Sequence, residues 1–265
     1  MQNLRVSTVQ GATVWHDPAA NRRYYGDLIA PLHGLTDLVV LPETFTSGFS
    51  NDAIDLAEDM DGPTVAWIRE QAVALDAAVT GSVQLRDGDR VYNRMLWATP
   101  DGALRHYDKR HLFRYANEHK RYAAGRERLT VEWRGWRINP QVCYDLRFPV
   151  FCRNRFDVER PGGMDFDLQL FVANWPAARA YAWKTLLRAR AIENLCYVVG
   201  VNRVGTDGNG LPYSGDSAVL DFLGQPVSEC RDAEVVSTTT LQADLLSSHR
   251  EHFPAMLDQD RFEIR

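Results

Sequence analysis

The chain reads as an α/β protein of two mixed sheets packed face to face, with helices outside. Three observations lead there. Strand-like and helix-like runs alternate in the first and last thirds, hairpin signals fill the middle, and several short runs are apolar throughout, as strands covered on both faces are. With 265 residues, 45% of them hydrophobic, the chain is long enough for one large core. One domain is expected over residues 1–244, followed by a polar tail over 245–265. The tail's thinly spread Phe253, Met256, Leu257 and Phe262 suit docking on a second subunit.

Leu4 to Gln10 alternates at period two and reads as a strand. Asp17-Pro18 supplies a capping side chain and then a proline suited to the first helical position, so a helix is predicted from there to about Leu32. Asp37 to Pro42 is a buried strand that ends at Glu43. A helix over Pro63 to Leu75 and a strand over Ala77 to Leu85 follow. Asp87-Gly88-Asp89 turns the chain into Val91 to Trp97, and Asp101-Gly102 turns it again into Ala103 to Tyr107. Arg110 to Arg128 is irregular and charged; an ordered loop of that length in a compact domain tends to serve a site. Strands resume over Val131 to Val142, where Pro140, lacking an N–H, marks a bulge or an edge. A short helix through Phe151 and Arg155, a strand over Leu168 to Val172, a long helix over Ala177 to Asn194 and a continuous apolar strand over Cys196 to Asn202 come next. Gly205 to Gly210 is a turn without the spacing of a phosphate loop. Ser217 to Phe222, Pro226 to Cys230 and Val235 to Gln242 complete the strands.

A net charge of −5 gives no general affinity for nucleic acid or anionic membranes, and no apolar stretch approaches the roughly 20 residues that span a bilayer. Met1 to Arg5 leads straight into a strand, so no leader is expected. Cys143, Cys152, Cys196 and Cys230 lie far apart without a CxxC, which fits a reduced, cytoplasmic protein. His249-x-x-His252 lacks a third candidate ligand nearby, so no metal and no cofactor is expected.

Three buried strands end in a polar residue followed by a break: Glu43, Cys143 and Asn174. Ligands of α/β sheets sit beyond the carboxyl ends of strands, which makes these three candidates for one pocket. Cys143 stands between a strand and a helix start, where backbone N–H groups favour a thiolate and can hold an oxyanion. On its own it is as readily a buried core cysteine. A cysteine nucleophile needs a base. One option is histidine, His249 or His252; the other is a carboxylate such as Glu43 with Lys109 beside the thiol.

Leu41-Pro42-Glu43, Tyr107-Asp108-Lys109-Arg110-His111-Leu112-Phe113 and Cys143-Tyr144-Asp145-Leu146-Arg147-Phe148-Pro149, in that order, resemble the signature blocks of the nitrilase (carbon–nitrogen hydrolase) superfamily. Asn174-Trp175-Pro176, the run Ala189 to Asn194, Val201 to Gly205 and Tyr213 to Ser217 resemble its ω-amidase branch, which hydrolyses side-chain amides of 2-oxo acids such as 2-oxoglutaramate. The resemblance covers about Leu4 to Gln242. It implies a four-layer α-β-β-α sandwich with a Glu-Lys-Cys triad: Cys143 the nucleophile, Glu43 the general base, Lys109 the cation at the tetrahedral intermediate. Glu118, followed by Ala124-Gly125, matches the second glutamate of the family. The backbone N–H of Tyr144 is the expected oxyanion donor.

The expected reaction turns a small linear amide into acid and ammonia through a thioester. Arg147 is the expected partner of a substrate carboxylate, with Arg114 and Arg179 as further options, and Trp175, Phe45 and Asn174 are expected around the substrate. A nitrilase or an N-carbamoyl amidase of the same superfamily would use the same triad. A non-catalytic interaction protein on this scaffold is the reading from another class. The family commonly dimerises, which implies a homodimer or higher homo-oligomer.

Overall fold

The structure is a computed structural model that describes residues 1–160 and 162–264. In chain order it holds β1 (Leu4–Gln10), α1 (Pro18–Ile29), β2 (Leu38–Val40), α2 (Pro63–Leu75), β3 (Ala78–Asp87), β4 (Arg90–Ala98) and β5 (Leu104–Asp108). After the long loop come β6 (Val131–Trp133), β7 (Trp136–Val142), α3 (Pro149–Cys152), β8 (Leu168–Ala173), α4 (Ala180–Asn194) and β9 (Tyr197–Asn202). The hairpin β10 (Val204–Thr206) and β11 (Pro212–Ser214) leads to β12 (Ala218–Leu220), β13 (Pro226–Glu229), β14 (Val235–Leu241) and α5 (Ala243–His252).

The strands form two six-stranded mixed sheets, ordered β14-β1-β2-β3-β4-β5 and β13-β12-β9-β8-β7-β6. Their facing surfaces share one core of Val6, Val40, Met95, Val142, Leu170, Val199 and others. A second core joins the first sheet to α1 and α2, and a third joins the second sheet to α4. Three apolar interfaces between four layers are the α-β-β-α sandwich that the apolar strand runs require, because strands covered on both faces must be apolar on both.

Local chemistry sets the ends of the elements. Asp17 Oδ1 accepts the N–H of Ala20 at 2.9 Å, capping α1. That helix stops at Ile29, short of the predicted Leu32, and Ala30–Leu32 tightens into a 3-10 turn at Pro31. The long helix likewise starts later than predicted, behind a 3-10 turn over Ala177–Arg179. The predicted short helix through Phe151 is α3, which ends at Cys152, short of the predicted Arg155, and a 3-10 turn, Cys143–Arg147, precedes it. Pro140 lies in β7 beyond Ile138, where β6 no longer runs beside it, so the strand is locally an edge there.

Residues 245–265, read from sequence as a polar tail, open within α5, which begins at Ala243. Ala243 and Leu246 enter the inter-sheet core, and Arg250 donates to Asp167, Leu195 O and Phe166 O at 2.6–2.9 Å. Phe253 and Leu257 beyond it are exposed, and Arg265 lies outside the described residues. Among the described residues no helix is long and apolar enough to cross a membrane.

Asp167 is buried between Arg137 and Arg250. Burial would raise its carboxyl, but the hydrogen bonds and charge of the two arginines outweigh that and hold it below the usual carboxylate range. Such a group stabilises the fold fully above its unfolded value of about 4, and the contribution is lost as pH falls through the native value. Asp167→Asn is therefore expected to lower unfolding free energy by about 3 kcal/mol near neutrality. In urea titrations, its gap to the unmodified protein should close below about pH 4. Equal stability at pH 7 would contradict this ion triad.

Candidate active site

Glu43 follows β2 and is fully buried. Thr44 after it adopts φ +42°, and its N–H is held by Ser82 Oγ at 2.9 Å, which fixes the turn. Both carboxylate oxygens of Glu43 are engaged. Oε1 accepts from Lys109 Nζ at 2.9 Å and Asn93 Nδ2 at 2.8 Å; Oε2 accepts the backbone N–H of Asn174 at 2.8 Å. Asn174 also donates through Nδ2 to Glu43 O and Thr44 Oγ1, tying the end of β8 to the end of β2.

Lys109 emerges from β5, and its backbone N–H bonds Asn93 O in β4. Its ammonium reaches Glu118 at 3.0 Å as well as Glu43, with all three side chains at 0% exposure. The long charged loop exists to place Glu118. That carboxylate accepts the N–H of Phe113 at 2.6 Å, closing the turn whose next corner, Asn117, has φ +59°. The loop returns through Gly125, whose N–H bonds Lys109 O. A Cβ there would lie 2.1 Å from Asp108 O, so only glycine fits.

Cys143 ends β7 with φ +45°, a strained conformation for a side-chain-bearing residue. Asp145, buried two residues on, holds the turn. It accepts from Val142 N (3.1 Å), Tyr107 Oη (2.7 Å), His111 N (3.0 Å) and His111 Nδ1 (2.7 Å). One carboxylate thus locks the cysteine turn to the lysine strand. Strain at residues 44, 117 and 143, each at or beside a site side chain, marks backbone bent to aim side chains.

Glu43, Lys109, Cys143, Tyr144, Arg147, Asn174 and Trp175 line one cavity of about 130 Å³, and Glu118 sits behind it through Lys109. Arg147 lies over the Trp175 ring at 4.9 Å, and Arg179 over Phe113 at 5.5 Å and Tyr115 at 5.8 Å. Neither arginine has a carboxylate partner among the described residues, whereas Lys109 has two. Arg114 is not among the lining residues. Phe45 needs correction. It packs at 0% exposure with Tyr25 and Trp67 in the core under α1 and α2, because the turn at Thr44 sends it to the opposite face from Glu43. Phe49 takes the wall position, 5.2 Å from Lys109 Nζ. Asn93, Phe49, Tyr115, Leu211 and Tyr213 were not singled out from sequence. Asn93 alone left a signal, as an amide in an otherwise apolar strand face. The histidine option falls: His249 stacks on Phe222 in α5, and neither it nor His252 lines the cavity.

The carbon-nitrogen hydrolase family model matches residues 5–251. The chain belongs to that family. It is 47% identical over 263 residues to an ω-amidase, YafV, of Yersinia enterocolitica, covering 99% of each chain. It is 32% identical over 225 residues to a 2-oxoglutaramate amidase of Bacillus subtilis, covering 84% of each. A CN-hydrolase superfamily protein of Xanthomonas campestris, solved with an arsenic adduct in its active site, superposes with a TM-score of 0.99 at 75% identity, covering all of both chains.

The charges of this hydrolase oppose one another. Burial pulls the Lys109 ammonium down, but Glu118 and Glu43 together push it well above its usual range, so it stays charged. Burial raises Glu118, offset in part by Lys109. The Cys143 thiol is pushed well up, first by burial and then by the Glu43 charge, with Lys109 pulling back less. Both causes oppose the thiolate that a helix start would favour. The turns that follow Cys143 are too short for a useful dipole, and an acid sits beside the sulfur. The sign of each neighbour gives a test. The pH profile of Cys143 alkylation by iodoacetamide, read by peptide mass, is expected to move down in Glu43→Gln and up in Lys109→Ala; shifts in the same direction would contradict this balance.

Proposed function

We propose that this hydrolase cleaves the ω-amide of a 2-oxo dicarboxylic acid, of the 2-oxoglutaramate kind, to acid and ammonia. The observation that carries the reading is that Cys143 shares its cavity with a buried Glu43–Lys109–Glu118 cluster and with two arginines that have no carboxylate partner among the described residues. A small linear amide with one free carboxylate matches that charge pattern, and the names of the relatives support it.

Glu43 takes the thiol proton as the Cys143 sulfur attacks the amide carbon. The resulting oxyanion is held by Lys109 Nζ and by the N–H of Tyr144, which lies in the first turn after β7 where backbone donors have no intrahelical acceptor. Collapse breaks the C–N bond, and Glu43 returns its proton to the departing nitrogen, releasing ammonia and leaving a thioester. Water loses a proton to Glu43, adds to the thioester and displaces the sulfur, which recovers that proton. Glu118 fixes Lys109 and orders the water. Asn174 Oδ1, buried and without a partner among the described residues, suits the amide N–H of the substrate. Arg147 and Arg179 face the carboxylate, with Trp175 as a wall.

The chain is also proposed to act in the cytoplasm as a homodimer or higher homo-oligomer. Its four cysteines are unbridged, and Tyr181 and Ile192 of α4, with Phe253 and Leu257 of the tail, leave apolar surface exposed for a second copy.

Ammonia release from 2-oxoglutaramate or succinamate, without turnover of simple nitriles, is the expected result of a substrate panel. Cys143→Ala, Glu43→Gln and Lys109→Ala are each expected to abolish turnover; a Lys109→Ala enzyme with most of its activity would overturn the role assignment. Arg147→Met should raise KM for a carboxylated amide by on the order of tenfold or more and leave a neutral amide unchanged. Equal effects on both would remove Arg147 from carboxylate binding.

A further inference from the structure

Asn93 lies in β4 at 1% exposure. Its amide nitrogen donates to Glu43 Oε1 at 2.8 Å and approaches Glu118 Oε1 at 3.5 Å, while its backbone carbonyl accepts the N–H of Lys109 at 3.0 Å. One residue therefore bonds both acids through its side chain and the backbone of the lysine that carries the cation. Its Oδ1 is buried with no partner among the described residues. An unmet buried acceptor is destabilising, yet the opposite amide orientation would set that oxygen against two carboxylates. The side chain is held in the orientation that serves the acids rather than itself.

The lone pairs show what this does. A carboxylate oxygen offers two acceptor positions. Both on Glu43 Oε1 are filled, by Lys109 Nζ and Asn93 Nδ2; among the described residues the one N–H on Oε2 is that of Asn174, which leaves a position there for the Cys143 thiol, itself hydrogen-bonded to Glu43. We propose that Asn93 is a positioning residue that directs the Cys143 proton to Glu43 Oε2 and, as a donor to Oε1, favours negative charge on that carboxylate. This rests on Glu43 being the base. The titratable groups facing the cluster are Lys109 from β5, Glu118 from the loop, Cys143 from β7, and the phenols of Tyr122 and Tyr213. Asn93 is an uncharged side-chain donor shared by both acids, beside the backbone N–H groups of Asn174 on Glu43 and of Phe113 on Glu118.

Asn93→Ala removes the donor, and Asn93→Asp replaces it at equal size with a third negative charge. Both are expected to lower kcat by ~10²-fold, as a misaimed base does, with KM little changed. The acid limb of the kcat–pH profile should move up by about one unit in Asn93→Ala and further in Asn93→Asp, because a carboxylate that loses a donor or gains a like charge keeps its proton to higher pH. An acid limb that stays at the wild-type pH in both folded variants would overturn the proposal, as would kcat and KM worsening together. Should neither fold, Asn93→Ser keeps a hydroxyl donor and is expected to show an intermediate displacement, and no displacement there would count equally against it. Glu43→Gln separates the two levels. Turnover retained in that variant removes the base itself; a dead Glu43→Gln beside an unmoved acid limb removes the role of Asn93 alone.

Discussion

One lysine ammonium, out of contact with water, lies within 3.0 Å of two buried carboxylates, and the rest of the molecule is arranged to make that tolerable. Three charges brought into an apolar interior are costly unless each is paired and hydrogen-bonded. Here the cation neutralises one acid outright, and the excess negative charge is spread over donors: Asn93, the N–H of Asn174 and the N–H of Phe113. Burial first, and then the charge of Glu43, push the neighbouring Cys143 thiol upward.

The fold brings these groups together by a simple rule. Strands β2 and β8 run parallel to both neighbours and β7 runs parallel to β8, and the three discharge Glu43, Cys143 and Asn174 at their carboxyl ends. Each sheet supplies part of the site, so the cavity exists only when the two sheets are stacked. Asn174 bonding Glu43, and Asp145 bonding Tyr107 and His111, are the cross-sheet ties that set this stacking at the site. The inter-sheet core supplies the bulk of the adhesion, and these polar ties supply the register.

Much of this was legible in the chain. Period-two alternation in Leu4 to Gln10, apolar runs such as Cys196 to Asn202 and the cap at Asp17 mark the elements because local backbone chemistry fixes them. Glu43, Cys143 and Asn174 stood out because polar residues interrupt apolar strands only where something holds them. Other features could not be read. Phe45 looked like a pocket wall two residues from Glu43, but the left-handed turn at Thr44 reverses its direction, and spacing carries no sign of that reversal. At Cys143 two short turns generate no useful helix dipole, and the charge of a residue a hundred positions away, invisible in the local sequence, opposes a thiolate. Asn93 acquires meaning only beside two acids from other strands. Arg250 looked like part of a loose tail, yet its guanidinium is seated on Asp167, a partner that only tertiary structure supplies.

The central claim is that Cys143 carries the acyl group while the acid–lysine cluster shuttles the proton. Rapid acid quench during turnover of 2-oxoglutaramate, followed by peptide mass analysis, addresses it directly. The account predicts a transient mass increase equal to the substrate less ammonia on the peptide containing Cys143. Ammonia release with no adduct on that peptide, or with the adduct on another cysteine, would contradict it.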